Sequence, residues 1–141
     1  MKNERGFSML ELLIVVAVVT LIAAIAIPNL KKARQSASSA SAVQSLRTLT
    51  TAEQMYRQKY QVYGTLSQLA PEGTLDTVLG TGTKSSYLFA IELAADQLHY
   101  TLTAQPIEDI TEMTYYFTDE STVIRFNYGA AATVSSDPIP R

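Results

Sequence analysis

The spacing of hydrophobic positions changes twice along this chain. An uncharged apolar run, in which Thr20 is the only polar residue, covers residues 12–27. A stripe at three- and four-residue steps follows as far as Tyr60, and short apolar runs separated by turn residues fill the second half. The first pattern predicts a helix long enough to cross a membrane, the second an amphipathic helix and the third β-strands. The expected order is therefore a membrane helix, its amphipathic continuation and a sheet.

An apolar stretch from Phe7 to Ile27, followed by Pro28, dominates the N-terminal part of the chain. Its 21 residues form a helix of roughly 30 Å, about the thickness of the hydrocarbon core of a bilayer. Glu11 is the only charged residue in this stretch, and a carboxylate inside an apolar membrane helix costs on the order of 2–3 kcal/mol. Glu11 therefore needs a partner or a functional reason.

Three interpretations of this stretch compete. A cleaved secretory signal has a shorter apolar core that ends in small residues at the cut site, whereas this run is longer and continues into helix-like sequence. A plain signal anchor fits the length, but it explains neither Glu11 nor the short polar segment that ends at Gly6. The third interpretation is based on the segment GFSMLE at residues 6–11, followed by the apolar run and Pro28. This combination closely resembles the N-terminal signature of the type IV pilin family.

The resemblance, which covers about residues 1–60, implies a processing and assembly pathway. Family members are cut after the glycine by a membrane-embedded prepilin peptidase, methylated on the new N-terminal phenylalanine and assembled into filaments. By resemblance, residues 1–6 are a removed leader, the cut lies between Gly6 and Phe7, and Phe7 is N-methylated. Residues 7–28 are then the transmembrane and assembly helix, and residues 29–141 hold the amphipathic half of the helix and a globular head. The N-terminus is expected to be cytoplasmic, with the chain in the inner membrane before assembly and in an extracellular pilus afterwards.

Individual residues of the signature have physical roles that suit this pathway. Gly6 has no Cβ, so a protease can approach the scissile bond closely. Glu11 follows Phe7 by four residues and is expected one helical turn away on the same face. Its carboxylate can neutralise its own mature N-terminus or, as the resemblance implies, that of the next subunit, which lowers the cost of burying both charges. Pro28 lacks a backbone N–H and is expected to kink or loosen the helix.

The amphipathic stripe predicts that one helix continues from about residue 7 to Tyr60. Small residues in its first half suit close packing between subunits, and bulkier residues from Leu46 onward suit the core of a head. Gly64, just beyond, is expected to end the helix. The stripe consists of Ala33, Ala37, Ala40, Val43, Leu46, Leu49, Ala52, Met55, Tyr56 and Tyr60.

The second half predicts an antiparallel sheet of four strands, at residues 87–93, 98–104, 113–118 and 122–128. Residues 71–86, rich in Gly and Thr, are expected to form a loop, and the tail from Gly129 is expected to be irregular. One face of such a sheet needs a cover, which the helix around residues 46–60 supplies. The fold class is therefore α+β, with a long N-terminal helix packed on a four-stranded antiparallel sheet, as in pilins.

Charge is divided unevenly along the chain. Residues 1–60 carry eight Lys or Arg against three acids, whereas residues 61–141 carry three against ten. A basic stem and an acidic head can attract each other between neighbouring subunits, although each can equally be a solvated face. An acidic head argues against binding to nucleic acid.

Candidate chemistry is sparse. The chain has no cysteine, which excludes disulfides, thiol catalysis and cysteine-based metal sites. His99, the only histidine, is expected to be a structural or surface residue, because one histidine without cysteine does not form a usual zinc site. Two acidic pairs, Glu108–Asp109 and Asp119–Glu120, are expected in solvated loops, with a calcium site as a minor alternative. We therefore expect no catalytic residues, no metal and no cofactor.

These observations favour a structural subunit of a type IV pilus or a related filament. Its expected partners are copies of itself or co-pilins, the prepilin peptidase, an inner-membrane assembly platform and the membrane. One alternative is a pseudopilin of a type II secretion system, ranked second because the chain lacks tryptophan and an Asp-rich closing loop. Another is a membrane-anchored binding protein that never polymerises, which predicts no cut at Gly6 and tolerance of substitution at Glu11. Among classes of function, a membrane-anchored enzyme ranks third, after a filament subunit and a binding protein.

Overall fold

The structure, a computed structural model, describes residues 7–107 and 112–140. The chain divides into two compact units, the first ending at Ser36 and the second beginning at Ala37. We call the second unit the head. Helix α1 spans Met9–Tyr60, and three short helical elements follow it in the head. These elements are α2 (Leu66–Leu69), a 3₁₀ turn (Ala70–Glu72) and α3 (Thr77–Gly80).

The head contains an antiparallel sheet in which neighbours in sequence are also neighbours in space. Its strands are β1 (Thr83–Lys84), β2 (Tyr87–Leu93), β3 (Tyr100–Pro106), β4 (Thr114–Asp119), β5 (Arg125–Tyr128) and β6 (Asp137–Pro138). The α+β class is confirmed, but the prediction of four strands is wrong because the sheet has six strands within the described residues. The four predicted strands are β2 to β5, and the two additional strands flank them.

Both additional strands lie where the sequence predicts irregular structure. β1 falls in the predicted loop of residues 71–86, and β6 in the predicted irregular tail. Each has two residues, which is too short to show the alternation that identifies a strand. β6 also contains Pro138, and proline in a sheet is confined to edges and strand starts because it donates no ladder hydrogen bond.

Helix α1 buries a face that differs in part from the predicted stripe. Its buried residues are Ala42, Ser45, Leu46, Leu49, Thr50, Ala52 and Glu53. Met55 and Tyr60, both predicted on the buried face, are 53% and 45% exposed. Glu53 is fully buried instead, because it lies seven residues after Leu46 and four after Leu49, on the same helix face.

The helix ends at Tyr60 as predicted, but by a different device. Gln61, and not Gly64, has the left-handed conformation that closes the helix, with φ of 63°. Its N–H donates to the carbonyl of Arg57 at 2.8 Å, which is the single bond of an αL cap. Gly64 has another function, because a Cβ there would lie 3.1 Å from the ring of Tyr56.

The two faces of the sheet have different covers. The inner face shares one core with α1, through β2, β3 and β4 residues such as Phe89, Leu102 and Tyr116. The outer face carries a second, smaller cluster made of Tyr115, Phe117 and Ala132. Ala132 belongs to the segment after β5, so this segment covers part of the outer face.

Candidate functional sites

The first unit exposes a large apolar surface. Fifteen large hydrophobic side chains between Phe7 and Leu30 are at least half exposed. Monomeric soluble proteins rarely expose contiguous apolar surface of this extent, so lipid or other protein must cover it. By length and composition α1 can cross a membrane, a property that signal sequences near an N-terminus share.

The start of α1 is capped by Ser8. The Ser8 hydroxyl accepts a hydrogen bond from the Leu10 N–H at 3.3 Å, and the Ser8 carbonyl accepts one from the Leu12 N–H at 3.2 Å. Phe7 precedes the helix and is 78% exposed. Gly6, the predicted leader residue at the cut, lies outside the described residues.

Glu11 lies in the first turn of α1, where the helix dipole favours negative charge. Its side chain is exposed, and within residues 7–107 and 112–140 no hydrogen bond or ion pair to it is found. A carboxylate on an otherwise apolar membrane helix is costly as long as it has no partner. Pro28 lies inside α1, and a kink at this residue stays a prediction.

Glu53 is the most unusual polar residue of the head. One carboxylate oxygen, Oε2, accepts a hydrogen bond from the Gly64 N–H at 3.0 Å. The other, Oε1, is buried without a partner among the described residues. Burial raises the pKa of the Glu53 carboxyl from 4.5 to about 7, and the Gly64 hydrogen bond only partly opposes this shift. The carboxyl is therefore poised to change its protonation near neutral pH.

Tyr100 lies near this carboxyl, and Tyr63 and then Arg57 extend the cluster away from it. The rings of Tyr63 and Tyr100 pack edge to face, with centroids 4.6 Å apart, and Arg57 donates to the Tyr63 hydroxyl at 2.6 Å. The Tyr100 hydroxyl is buried, and burial raises its pKa while the nearby Thr50 hydroxyl partly opposes this shift. This cluster was not predicted from the sequence, although the position of Glu53 on the helix face of Leu46 and Leu49 was a usable signal.

A groove of about 640 Å³ lies on the outer face of the sheet, and we call it the outer groove. Two cross-strand rows form it, Glu92–Thr101–Asp119 and the neighbouring row that contains Thr103 and Phe117. Ala132, Thr133 and Val134 form one wall, and His99 and Glu120 lie at the end of the groove near the turns. The lining therefore combines apolar groups with three carboxylates.

His99 is exposed, and its Nδ1 lies 2.7 Å from Glu120 Oε1. The pKa of the Glu120 carboxyl is lowered mainly by a hydrogen bond from its own backbone N–H and, to a smaller extent, by its hydrogen bond with His99. The residues that the structure describes contain no group of three or more acidic or histidine side chains able to hold a metal ion. The predicted acidic pair Glu108–Asp109 lies outside the described residues.

Comparison with known proteins identifies the N-terminal segment. Residues 1–27 match the family model of the prokaryotic N-terminal methylation motif. This motif is the prepilin leader typical of type IV pilins, so the resemblance noted in the sequence is confirmed for this segment. A search of curated proteins gives no match. The motif and the apolar helix together support a membrane-anchored subunit of the pilin-like or pseudopilin kind.

Proposed function

We propose that this chain is a structural subunit of a type IV pilus or a related filament. It enters the inner membrane as a prepilin, is cut between Gly6 and Phe7, and is methylated on Phe7. It then polymerises through its N-terminal helix, alone or with co-pilins, and becomes part of an extracellular filament. The methylation motif over residues 1–27 is the observation that carries this proposal.

The surface of the first unit supports polymerisation. A single membrane-anchored copy can cover its apolar helix with lipid, but lipid offers no counter-charge to Glu11. A neighbouring copy supplies both an apolar helix and, after the cut, an N-terminal ammonium at Phe7. Assembly therefore satisfies the apolar surface and the unpaired carboxylate together.

The chain's mature N-terminus and cellular fraction test the pathway. We expect the intact mass of the protein in sheared surface filaments to match a chain that begins at methylated Phe7. A cut chain confined to the membrane would indicate a pseudopilin or a minor subunit. An uncut chain that begins at Met1 and stays in the membrane would overturn the proposal in favour of a static anchor.

Glu11→Ala is expected to reduce filament incorporation about tenfold or more, which corresponds to the loss of about 1.4 kcal/mol per added subunit. Insertion in the membrane should be unchanged, because the substitution makes the helix more apolar. The measurement is the ratio of the chain in sheared filaments to that in membranes, determined by immunoblotting.

Thr20→Ala is the matched control for this variant. Thr20 is also polar and lies in the same apolar stretch, but its hydroxyl donates to the carbonyl of Ala17 at 2.9 Å within the helix. Because it needs no external partner, Thr20→Ala should assemble as the wild type does. Normal assembly of Glu11→Ala would show that the carboxylate has no role in polymerisation.

A further inference from the structure

The segment that follows α1 is tied to the helix by two side chains. Glu53, which is fully buried, accepts the Gly64 N–H through Oε2 at 3.0 Å. Arg57, one helical turn later, donates to the Tyr63 hydroxyl at 2.6 Å. We call residues 61–64 the latch, because both hydrogen bonds hold this segment against α1.

The latch is also bonded to the turn between β2 and β3. The Tyr63 N–H donates to the Gln97 carbonyl at 2.9 Å. Gln97 has φ of 56°, and Gln61 at the start of the latch has φ of 63°. Left-handed backbone is strained for residues other than glycine, so the closed latch depends on the side-chain contacts of Glu53 and Tyr63.

The closed latch accommodates a neutral Glu53 carboxyl and not a carboxylate. Oε1 is buried with no partner among the described residues, and no described Lys or Arg forms an ion pair with this group. A carboxylate out of water needs a cation or several donors, whereas Gly64 supplies one N–H. Burial accordingly raises the pKa of the Glu53 carboxyl to about 7.

The titratable groups around this carboxyl come from the latch and from two strands. Tyr63 lies in the latch and Tyr100 on β3, with ring centroids 4.6 Å apart. Asp119 on β4 acts electrostatically on the Tyr100 hydroxyl, as Glu53 does, and Arg57 on α1 is exposed and bonded to Tyr63. Loss of the Glu53 proton therefore leaves a negative charge that no described cation neutralises inside the closed latch.

We propose that a proton controls the latch, which closes over Glu53 when this carboxyl is neutral and opens when it is ionised. Opening breaks the hydrogen bonds of Tyr63 and Gly64 and lets water hydrate the carboxylate. It also releases the strained backbone at Gln61 and Gln97. The strands stay paired, since none of the broken bonds belongs to the strand ladders.

Linkage between the proton and the latch sets the direction and size of the response. The Glu53 carboxyl titrates near its ordinary 4.5 in the open latch and near 7 in the closed one. Between these values the closed latch binds more protons, so the ratio of open to closed states rises about tenfold per pH unit. Above pH 7 the ratio levels off.

Amide hydrogen exchange of the full-length chain in detergent micelles measures this ratio. We expect the protection factors of the Tyr63 and Gly64 amides, which correct for the intrinsic exchange rate, to fall about 100-fold between pH 5 and 7. The amides of Leu102 and Ala104 in the central strand β3 exchange through global unfolding, so they should stay at least about tenfold better protected. Equal protection of the latch and the strand would overturn a local opening.

Glu53→Gln should keep the latch closed, with protection that does not change between pH 5 and 7. His99→Gln is the matched control, because histidine ordinarily titrates in this range and His99 lies two residues from Gln97. This control should respond to pH as the wild type does. A response that persists in Glu53→Gln, or one that disappears in His99→Gln, would overturn the proposal.

Tyr63→Phe tests the second hydrogen bond of the latch. The ring can still pack on Tyr100, but the bond to Arg57 is lost, so protection of the Gly64 amide should fall about fivefold at pH 5 and at pH 7 alike. Unchanged protection would show that Tyr63 does not hold the latch closed and would overturn its role.

Only the consequence for the cell rests on the proposed function. The head of a filament subunit lies outside the cytoplasm, so its latch would open more often as the surroundings turn alkaline. Filaments of chains that begin at Phe7, but with latch amides equally protected at pH 5 and 7, would overturn the latch and leave the filament function standing. An uncut chain with the expected exchange would keep the latch and overturn the filament function.

Discussion

Glu53 occupies a helix position whose neighbours on the same face are Leu46 and Leu49, both fully buried. A carboxylate at such a position loses its hydration, and one hydrogen bond from Gly64 replaces only part of it. Protonation removes most of this desolvation penalty, because burying a neutral carboxyl costs far less free energy than burying a carboxylate. The raised pKa of Glu53, about 7, is the direct result.

The pH dependence of head stability follows from this pKa. Between the unfolded value of 4.5 and the folded value of about 7, the folded head binds more protons than the unfolded chain. The stabilising proton is fully bound below pH 4.5 and is lost as the pH rises through 7. We expect the free energy of unfolding to fall by about 1 kcal/mol per pH unit between pH 5 and 7, as measured by urea unfolding.

Glu53→Gln isolates this effect. The amide keeps an oxygen to accept the Gly64 N–H but does not titrate in this range, so the slope between pH 5 and 7 should disappear. The carboxyls with lowered pKa, at Glu72, Asp76 and Glu120, titrate at more acidic pH and leave this window clear. Glu92→Gln, at an exposed site, is the control and should keep the slope. An unchanged slope in Glu53→Gln would assign the dependence to another group.

Glu53 and Gly64 also show which contacts could not be predicted from local sequence pattern. A glutamate at position 53 would be assigned to the solvated face of the helix by its residue type. Its burial can be predicted only from its spacing to Leu46 and Leu49. Gly64 looked like a helix stop, but its N–H bonds Glu53 and its missing side chain makes room for the Tyr56 ring. Both facts depend on contacts between residues eight or more apart, which local pattern does not contain.

At the scale of elements, the β1–β2 hairpin is held by tertiary contacts against local preference. Ser85 and Ser86 form its two-residue turn, and both have positive φ, at 51° and 65°. Asn-Gly is the usual sequence for such a turn, because other residues are strained there. Contacts compensate, since the Ser85 hydroxyl lies 2.8 Å from that of Ser41 and Ser86 accepts the Ile107 N–H.

Ser86→Gly is expected to stabilise the head by about 0.5–1 kcal/mol, because glycine adopts positive φ without strain while the backbone hydrogen bond to Ser86 remains. The measurement is the midpoint of thermal unfolding. Ser38→Gly, in the interior of α1, is the control and should destabilise by a similar amount. If Ser86→Gly lowered the midpoint as Ser38→Gly is expected to, the turn would not be strained.

This hairpin explains why the element prediction was incomplete. β2 carries a run of aromatic and β-branched residues, and its predicted bounds at 87–93 match the structure. β1 has two residues and a Ser-Ser turn, so neither its pattern nor its turn chemistry marks a strand. Elements with their own periodicity were predictable, and those specified by their neighbours were not.

At the scale of the whole molecule, the chain places its two kinds of apolar surface in different units. Among residues 7–107 and 112–140, the buried core residues lie between Ala42 and Ala132, within the head. The exposed hydrophobic side chains of the first unit lie between Phe7 and Leu30. The methylation motif and the long apolar helix were predictable because each is contiguous in sequence. The outer groove was not predictable from the sequence, because its lining comes from three strands and from the segment after β5.

The head should therefore fold without the first unit. We expect a shortened chain of residues 36–141 to be soluble, with a cooperative thermal transition. Ser36 is retained as its first residue because a serine hydroxyl caps a helix start. The midpoint should lie within about 4 °C of that of the head in the full-length chain in detergent, the shift that roughly 1 kcal/mol produces in a domain of this size.

Thermal unfolding followed by near-ultraviolet circular dichroism of the tyrosines gives both midpoints. Aggregation of the shortened chain, or loss of its cooperative transition, would mean that the first unit contributes to the fold of the head and is more than an anchor and assembly helix.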